Sequence, residues 1–433
     1  MQKKKRKYID LNEDYRSPSD DINDDRVDLL SNLPDHLLIH ILSLVDIKTA
    51  RRTSILSKRW TGLWTDLMDL DFDDFETTAT IEYKSYAQPE MDKFVVWVNH
   101  IIASNRAPYL GTFRIHFPLN GLYAAHMENW LKFAFVKKVR NLELNFYNLQ
   151  LNFVYSYSRN IHFQKSFLNT TLESLHLKSV SVERHFLQWV ITNCLNLQNL
   201  SFHHCDDASS KHRLKIVISS LKLKNLEFFK CLKLLKIDAL HLSAPNLTSF
   251  IYNESELDVK YRSVPSLVNV TFGGSYCHHL KALSGFSSQL EKLSIVWDDG
   301  TNYANRDPSR SWFNSVPINS RFPTFVNVQQ LEITSSQKDV YLLSVMSLIE
   351  ACPLMHTFKL KLMCRKQREG PRSSLAANKT QFKIIWHLKT VEYLGYTGCS
   401  FASELALCLT RLAPMLRRFI FDTRQPQFVG KAM

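Results

Sequence analysis

The sequence lacks several features that would define its structural class at once. Its 433 residues include only 11 glycines and 14 prolines, and no run of 18 or more apolar residues occurs. These shortages exclude a collagen-like or low-complexity body and predict no transmembrane helix. Because no apolar segment follows the first charged residues, MQKKKRK, we expect no secretory signal peptide.

Motifs for catalysis and metal binding are also absent. None of G-x-x-x-x-G-K-[ST], G-x-G-x-x-G, H-E-x-x-H or G-x-S-x-G occurs. The eight cysteines never form a C-x-x-C pair, which favours buried free thiols over a disulfide framework or a zinc knuckle. The clusters HHCDD at 203–207 and YCHH at 276–279 look like metal ligands, but adjacent strand residues point to opposite faces. We therefore predict no catalytic residue, no metal site and no cofactor.

Charge is distributed unevenly along the chain. The net charge is +13, with +5 on residues 3–7, −6 on residues 10–28 and +17 on residues 77–433. The first 28 residues lack apolar periodicity, which predicts a disordered arm. Its basic cluster is either a nuclear-import signal or a solubilising tail, and it consists of Lys3, Lys4, Lys5, Arg6 and Lys7. The basic C-terminal body should raise affinity for polyanions or for an acidic partner.

A helix is predicted shortly after residue 30. Apolar residues recur at intervals of three and four from Leu33 to Val45, the spacing of one face of an α-helix. Ser31 or Asn32 can cap its start, and Pro34 is tolerated in the first turn because its missing N–H has no helical partner there.

Two more short helices are predicted after the first. Asp46 can cap a helix from Ile47 to Thr53, and Ser57 can cap a third helix. The third helix carries Trp60 and Trp64 four residues apart, so both rings share one face and are expected to pack against protein. A unit this small needs a neighbour or a partner to bury its apolar faces.

The segment LPDHLLIHILSLVDIKTARRTSILSKRWTGLW, residues 33–64, closely resembles the F-box of plant F-box/leucine-rich-repeat proteins. The shared pattern is Leu-Pro, an apolar helix, a Ser-Lys-Arg-Trp ending and a further Trp. The sequence departs from it at Val45-Asp46, where the family commonly has Leu-Pro, and at Arg51, where an apolar residue is usual. The resemblance implies docking on a Skp-family adaptor through a surface formed or supported by Leu33, Pro34, Leu37, Leu38, Ile41, Leu42, Leu56 and Trp60.

A phrase of the form apolar-x-x-apolar-x-apolar recurs from residue 139 onward, typical of leucine-rich repeats. One such strand cannot bury its apolar side chains alone, so neighbours should stack into a solenoid with a parallel sheet on its concave face. Convex segments such as ERHFLQWVITNC are predicted to be helical, and the alternation in MDLDFDDFE indicates a strand that begins the array. The phrases end at Leu144, Leu177, Phe202, Phe228, Tyr252, Phe272, Ile295, Ile333, Leu360, Tyr393 and Phe421.

Residues between and after the inward-pointing positions should face the concave side. Phe229, Ile251 and Val296 are apolar where solvent exposure is expected, which marks an interface unless the insertions beginning at Asp298 and Cys364 cover them. The candidate target-binding residues on this face are His176, Lys178, His203, Phe229, Ile251, Asn253, Val296, Lys359 and Lys361.

We therefore predict an α/β fold in which a three-helix F-box precedes an irregular leucine-rich-repeat solenoid with a parallel concave sheet. HLKTVEYLGYTG and LAPMLRRFIFD, near the C-terminus, resemble the module called FBD. The predicted units are a disordered tail at 1–28, the F-box at 29–65, a strand and helices capping the solenoid at 66–138, leucine-rich repeats at 139–380, FBD-like terminal repeats at 381–423 and a tail at 424–433.

The resemblance implies a non-catalytic substrate-recognition subunit of a cullin-based SCF E3 ubiquitin ligase. The F-box would bind a Skp-family adaptor and through it the cullin scaffold, while the repeats would bind an unknown target protein in the nucleus and cytoplasm. Two alternatives remain open: a basic repeat protein that binds nucleic acid directly, and a small-molecule co-receptor of the F-box type.

Overall fold

A computed structural model describes residues 30, 32–74, 77–78, 88–146, 171–180, 182, 184–205, 214–229, 231, 237–253, 258–273, 284–297, 322–335, 342–362, 382–396, 398 and 400–424. The basic cluster Lys3, Lys4, Lys5, Arg6 and Lys7 and the insertions beginning at Asp298 and Cys364 lie outside these residues. Within the described ranges, no helix is long and apolar enough to cross a membrane.

The described structure begins with three short helices. The residues at which they begin show which of the predicted capping residues cap a helix. The helices are α1 (Asp35–Leu42), α2 (Ile47–Arg52) and α3 (Trp60–Leu63), with 3-10 turns at Thr53–Ile55 and Trp64–Asp66. Asp46 caps α2 as predicted, because its carboxylate accepts from the Thr49 backbone N–H at 2.9 Å.

The other two predicted caps are wrong. Pro34 takes the extended conformation that precedes α1, and its carbonyl accepts the first backbone N–H groups of the helix, so Pro34 and not Asn32 is the capping residue. Ser31 lies outside the described residues. The third helix begins at Trp60, and the 3-10 turn before it ends at Ile55. Ser57 contributes its backbone carbonyl to the Trp60 N–H and not a side-chain cap.

Thirteen parallel strands in the described residues form one sheet, and every predicted repeat phrase contributes one of them. Their order is β1-β2-β3-β4-β5-β7-β9-β11-β12-β13-β14-β15-β16. The strands are β1 (Asp69–Asp73), β2 (Thr112–His116), β3 (Asn141–Asn145), β4 (Ser174–Lys178), β5 (Asn199–His203), β7 (Asn225–Phe229), β9 (Ser249–Asn253), β11 (Asn269–Gly273), β12 (Lys292–Trp297), β13 (Gln330–Ser335), β14 (Thr357–Leu362), β15 (Thr390–Leu394) and β16 (Arg418–Asp422). The first two precede the predicted repeats and extend the same sheet.

Backbone hydrogen bonds fix the register of successive repeats. The carbonyl of Glu173, just before β4, accepts from the N–H groups of Gln198 and Asn199 at the start of β5. The same doubly accepting carbonyl recurs at Gln198, Lys224, Thr248, Val268, Glu291, Gln329, His356 and Lys389. Each strand is therefore anchored to its predecessor at its first residue, which aligns the side-chain rows across the sheet.

The inward rows of the sheet form a continuous core. Leu142 and Leu144 of β3 are buried, as are the equivalent pairs of the other strands through β15. Ring contacts tie helices to this side: Trp97 lies 5.3 Å from Phe72, and Phe133 lies 6.2 Å from Phe113, measured between ring centroids. The helices after the F-box are α4 (Gln88–Ser104), α5 (Ala124–Val136), α6 (Arg184–Asn193), α7 (Leu342–Glu350) and α8 (Ser400–Leu412).

The helix predicted from ERHFLQWVITNC is confirmed as α6. Three convex segments are instead extended and pair as a second parallel sheet: β6 (Leu214–Ser219), β8 (Ile237–Ser243) and β10 (Asp258–Ser263). Of their sequences, DVKYRS alternates with the period of a strand, whereas LKIVIS and IDALHLS contain consecutive apolar residues.

Cys205 and Cys231 connect neighbouring repeats through their thiols. The Cys205 thiol lies 3.3 Å from the carbonyl oxygen of Leu177, and the Cys231 thiol lies 3.2 Å from that of Phe202. Both cysteines are buried, and neither forms a disulfide within the described residues. Each thiol, a small group with a weak hydrogen-bond donor just after its strand, therefore contacts a backbone carbonyl of the preceding repeat. This is consistent with the position of the two cysteines in the repeat.

The F-box helices pack directly onto the start of the sheet. Trp64 is buried and its indole stacks on the His100 ring of α4, with centroids 6.3 Å apart. The Thr65 carbonyl accepts from the Arg106 backbone N–H at 2.7 Å, and the Leu67 carbonyl accepts from the Asn105 side-chain amide at 2.9 Å. These contacts make the helical unit and the first repeats one continuous body.

We predict that Gly273→Ala destabilises the solenoid by about 1–3 kcal/mol, the usual cost of overpacking. A Cβ at Gly273 would lie 2.1 Å from the Asn253 Oδ1 atom, and Asn253 is buried. The measurement is the free energy of unfolding in urea. Gly285→Ala is the matched control, because nothing lies within 4 Å of that Cβ. Adding Asn253→Ala should restore most of the loss, and a wild-type stability for Gly273→Ala alone would contradict the packing described.

Candidate functional site

The first F-box helix divides its apolar residues between two faces. Leu38 and Leu42 are buried, and with Trp60 they form the inside of the helical unit. Pro34, Leu37 and Ile41 are exposed on another side, and Leu33 is half-buried. Eight residues were predicted to form or support the adaptor-binding surface. The exposed ones, Pro34, Leu37, Ile41 and Leu56, form it. The other four lie beneath it or at its edge: Leu33, Leu38, Leu42 and Trp60.

The exposed apolar surface is larger than the sequence predicted. Leu44 continues the spacing of Pro34, Leu37 and Ile41 beyond the end of α1, and 74% of it is exposed. On the 3-10 turn and just after it, Ile55 is 88% exposed and Leu56 is 63% exposed. We call Pro34, Leu37, Ile41, Leu44, Ile55 and Leu56 the docking face. Leu44 continues the helical spacing but follows the end of α1, whereas Ile55 lies on the 3-10 turn and has no periodic signal of its own.

Arg59 holds the ends of α1 and α3 together. Its guanidinium donates to the Asp35 carboxylate, with Nε 2.8 Å from Oδ1, and also to the Leu33 backbone carbonyl. These contacts of Arg59 explain why a basic residue precedes the tryptophan in the Ser-Lys-Arg-Trp ending. The clamp positions the start of α1, and with it Pro34 and Leu37, relative to the third helix.

The outward face of the large sheet carries the predicted target-binding residues in two aligned rows. The middle row passes through His176, Ser201, Glu227 and Ile251, and the last row through Lys178, His203, Phe229 and Asn253. These rows continue to Ser294 and Val296 and then to Lys359 and Lys361. The structure therefore brings all nine predicted residues onto one surface, which we call the concave face.

Ion pairs occupy both ends of the concave face. Arg114 bonds the Asp71 carboxylate at 3.0 Å and also lies 3.3 Å from the Glu143 carboxylate. At the other end, Lys359 pairs with Glu392 at 2.7 Å and Lys361 pairs with Glu332 at 2.6 Å. Lys359 and Lys361, two of the three lysines predicted to bind a target, are thus already neutralised by neighbours. The sequence spacing gave no sign of these partners in other repeats.

Glu227 is the centre of a smaller polar cluster. Its carboxylate accepts from the Ser201 hydroxyl at 2.9 Å and lies 3.0 Å from the His203 Nε2 atom. Burial would raise the pKa of Glu227, but its contacts with His203 and Ser201 bring that pKa below the ordinary value. Burial lowers the pKa of His176 despite the nearby carboxylates of Glu143 and Glu227. Because the Ser201 hydroxyl donates to a carboxylate and not to a histidine, this cluster lacks the serine–base pair of a nucleophilic catalyst.

The centre of the concave face is uncharged in its middle and last rows. Across β9, β11 and β12 these rows hold six residues: Ile251, Asn253, Thr271, Gly273, Ser294 and Val296. We call this set the neutral window. Ile251 and Val296 are half-buried, so part of each side chain is exposed to solvent on this face.

Phe229 and Asn253 are buried, which corrects their predicted exposure. The Phe229 ring lies 5.5 Å from the His203 ring and 5.9 Å from the His204 ring, so neighbouring repeats cover it. Asn253 lies against the side of Gly273, where no side chain competes for space. Its amide nitrogen is buried and has no hydrogen-bond partner among the described residues.

Family models match both parts of the chain. The F-box domain model matches residues 30–70, which contain the docking face and the Arg59 clamp. The leucine-rich-repeat domain model described as At1g61320/AtMIF1, LRR domain, matches residues 110–431, most of the chain. The chain belongs to the F-box/leucine-rich-repeat family. Proteins of this family are in general non-catalytic adaptors.

Individual relatives of this F-box/leucine-rich-repeat protein come from Arabidopsis thaliana. The F-box/FBD/LRR-repeat protein At4g26340 is 26% identical over 92% of this chain and 93% of its own length. The FBD-associated F-box protein At1g66310 is 24% identical over 92% of this chain and 91% of its own length. The F-box/LRR-repeat protein At3g18150 is 26% identical over 56% of this chain, and this chain spans only about half, 51%, of that relative.

Proposed function

We propose that this chain is the substrate-recognition subunit of a cullin-based SCF E3 ubiquitin ligase. In this role the docking face binds a Skp-family adaptor, the adaptor links the chain to the cullin, and the concave face binds the protein to be ubiquitinated. The observation that carries the proposal is the docking face itself, an exposed apolar surface on a unit whose other side is buried against the solenoid. Contiguous exposed apolar surface on a folded protein marks an interaction site.

The energetics of the docking face suit stable assembly. Burial of a large apolar side chain contributes about 1.5–3 kcal/mol. Leu37, Ile41, Leu44, Ile55 and Leu56 together therefore provide enough apolar surface to outweigh the entropy that association costs. The buried partners Leu38, Leu42 and Trp60 hold these side chains in place before the adaptor binds, which lowers that cost.

Ubiquitin transfer in this proposal requires no chemistry from the chain. The F-box and the first repeats share the Trp64 stack and the hydrogen bonds to Thr65 and Leu67, so a bound target is held at a fixed position relative to the adaptor. Holding a target lysine near the charged enzyme raises its effective concentration, and this proximity is the whole contribution.

The neutral window is the proposed contact for the target. Ile251 and Val296 are half-buried and offer partly exposed apolar surface to a bound segment. Ile251 on β9 and Val296 on β12 are two strand spacings apart, about 10 Å. The charged residues on either side of the neutral window are already ion-paired, so they offer no unpaired charge to a target. This favours a neutral or apolar target segment at the window.

Charge on the concave face disfavours direct binding of nucleic acid there. In the middle and last rows of the sheet, the acidic side chains are Asp71, Asp73, Glu143, Glu227, Glu332, Glu392 and Asp422. The basic ones are only Arg114, Lys178, Lys359 and Lys361. Phosphate backbones require the opposite balance. The large positive charge of residues 77–433 therefore does not come from this face.

We also propose that the protein works in both nucleus and cytoplasm, on the basis of the cluster Lys3, Lys4, Lys5, Arg6 and Lys7. If the cluster is read by an import receptor, replacing all five residues with alanine lowers the nuclear fraction of a fluorescent fusion in plant cells. An unchanged nuclear fraction would leave only the solubilising role.

We predict that Leu37→Asp/Ile41→Asp weakens binding to a purified Skp-family adaptor by about 100-fold or more, because two anchors are lost. Titration calorimetry measures the dissociation constants. Leu195→Asp/Leu221→Asp is the control, since both leucines are exposed and lie outside the F-box. Failure of the wild type to bind, or equal affinity of the two double variants, would contradict the proposed function.

We predict that Ile251→Asp/Val296→Asp abolishes capture of the target while leaving adaptor binding intact, because a buried unpaired carboxylate is costly at an apolar contact. The measurement is quantitative mass spectrometry of proteins captured with the tagged chain while the proteasome is inhibited. Thermal unfolding confirms that the variant is folded, and Leu195→Asp/Leu221→Asp again serves as control. Capture of the same proteins by both variants would place the target elsewhere.

A further inference from the structure

A shallow cleft lies between the second F-box helix and α4. Arg51 and Arg52 of α2 line one side, and Lys93, Val96 and Trp97 of α4 line the other. Val96 is 67% exposed and Trp97 is half-buried. We call this the junction cleft. Its lining combines positive charge with an indole and an aliphatic side chain.

Most of the positive charge in the junction cleft is uncompensated. Lys48 is the exception, because it pairs with Asp74 at 2.8 Å and lies over the Trp97 ring. Within the part of the chain that the structure describes, Arg51, Arg52 and Lys93 have no ion-pair partner. The one carboxylate in the lining, that of Asp92, accepts from the Tyr123 hydroxyl at 2.6 Å.

Such a lining fits an acidic peptide that also carries apolar residues. Carboxylates would pair with the two arginines and Lys93, while an apolar side chain would pack on Val96 and Trp97. A bare phosphate would leave the apolar part of the lining unused. The cleft therefore favours a peptide in which acidic and apolar residues are interleaved.

The chain itself contains a segment of this composition. Residues 10–28, DLNEDYRSPSDDINDDRVD, hold eight acids and two arginines, with Tyr15, Ile22 and Val27 between them. They come directly before Leu30, where the described structure begins. We propose that residues 10–28 bind the junction cleft.

Length and tethering both allow this contact. Nineteen extended residues span up to about 60 Å, whereas α1, which separates the segment from α2, is about 12 Å long. A single exposed ion pair contributes little in water, so several pairs are needed. The covalent link supplies an effective concentration on the order of millimolar, which makes weak pairs sufficient.

The bound segment would lie beside the docking face. Ile55 and Leu56 follow Arg52 by only three and four residues along the chain. Occupation of the junction cleft is therefore expected to lower adaptor affinity several-fold by crowding that end of the docking face. This consequence rests on the proposed function, whereas the binding of residues 10–28 does not.

A zero-length carbodiimide cross-link on the full chain tests the contact, because it joins a carboxylate to a lysine amine only within an ion pair. The Lys48–Asp74 pair is a built-in positive control. At low ionic strength, we expect cross-links from residues 10–28 to Lys93 or Lys48 whose yield does not change on dilution. Their yield should fall several-fold in Arg51→Ala/Arg52→Ala and stay unchanged in Lys222→Ala/Lys224→Ala, which removes two exposed lysines elsewhere.

Three outcomes would overturn the proposal. The first is a Lys48–Asp74 cross-link without any from residues 10–28, and the second is cross-linking only between isotopically distinct copies of the chain. The third is binding of a 20-base-pair DNA duplex that depends on Arg51 and Arg52 with no cross-link from the segment, which would make the cleft a nucleic-acid site.

A second full-chain variant separates this proposal from the proposed function. Asp20, Asp21, Asp24 and Asp25 changed together to asparagine should lose the cross-links and bind the adaptor several-fold more tightly. Wild type that cross-links but binds no adaptor would contradict only the proposed function. If the wild type binds the adaptor but gives no cross-link from residues 10–28, only the proposed binding of that segment to the junction cleft is contradicted.

Discussion

The registered stacking of short strands is the constraint on which the rest of the structure depends. A single repeat has two or three apolar side chains and no way to bury them alone. Each strand is therefore fixed to the previous one by a carbonyl that accepts two N–H groups, from Glu173 through Lys389. This register aligns the inward residues into a core and, by the same geometry, aligns the outward residues into the rows of the concave face.

The F-box shares that constraint, because its last turn is part of the same packing. Trp64 stacks on His100, and the carbonyls of Thr65 and Leu67 accept from the residues after α4. The helical unit thus buries one side on the solenoid and exposes the docking face on the other. A rigid connection suits a protein that must hold one partner at a fixed place relative to another, whereas a flexible linker would dilute that effect.

Sequence reasoning predicted the elements whose signal is local and periodic. Every repeat phrase became a strand, and Asp46 caps its helix, because both depend on residues close together in the chain. Convex strands such as β6 were not predicted, because a short segment such as LKIVIS has apolar residues on both sides of a strand and so gives no clear period-two signal. The cap at Pro34 was missed because a proline carbonyl can begin a helix without any side-chain signal.

The burial of side chains and the formation of ion pairs on the concave face could not be predicted from the sequence, for a physical reason. Phe229 is covered by His203 and His204 of the adjacent repeat, and Lys361 is neutralised by Glu332 of another. Such contacts join residues about 25 to 30 positions apart, and they are set by register and not by local spacing. The exposure of Leu44 and Ile55 on the docking face likewise depends on where the helices end, and the sequence did not predict it.

Amide hydrogen exchange of the purified chain, alone and with a Skp-family adaptor, tests the central claim most directly. The account predicts that the adaptor slows exchange in α1 and in residues 53–60, while the strands of the large sheet exchange as before. Unchanged exchange in the F-box helices, or protection confined to the sheet, would contradict a chain that docks through one end and recognises its target with the other.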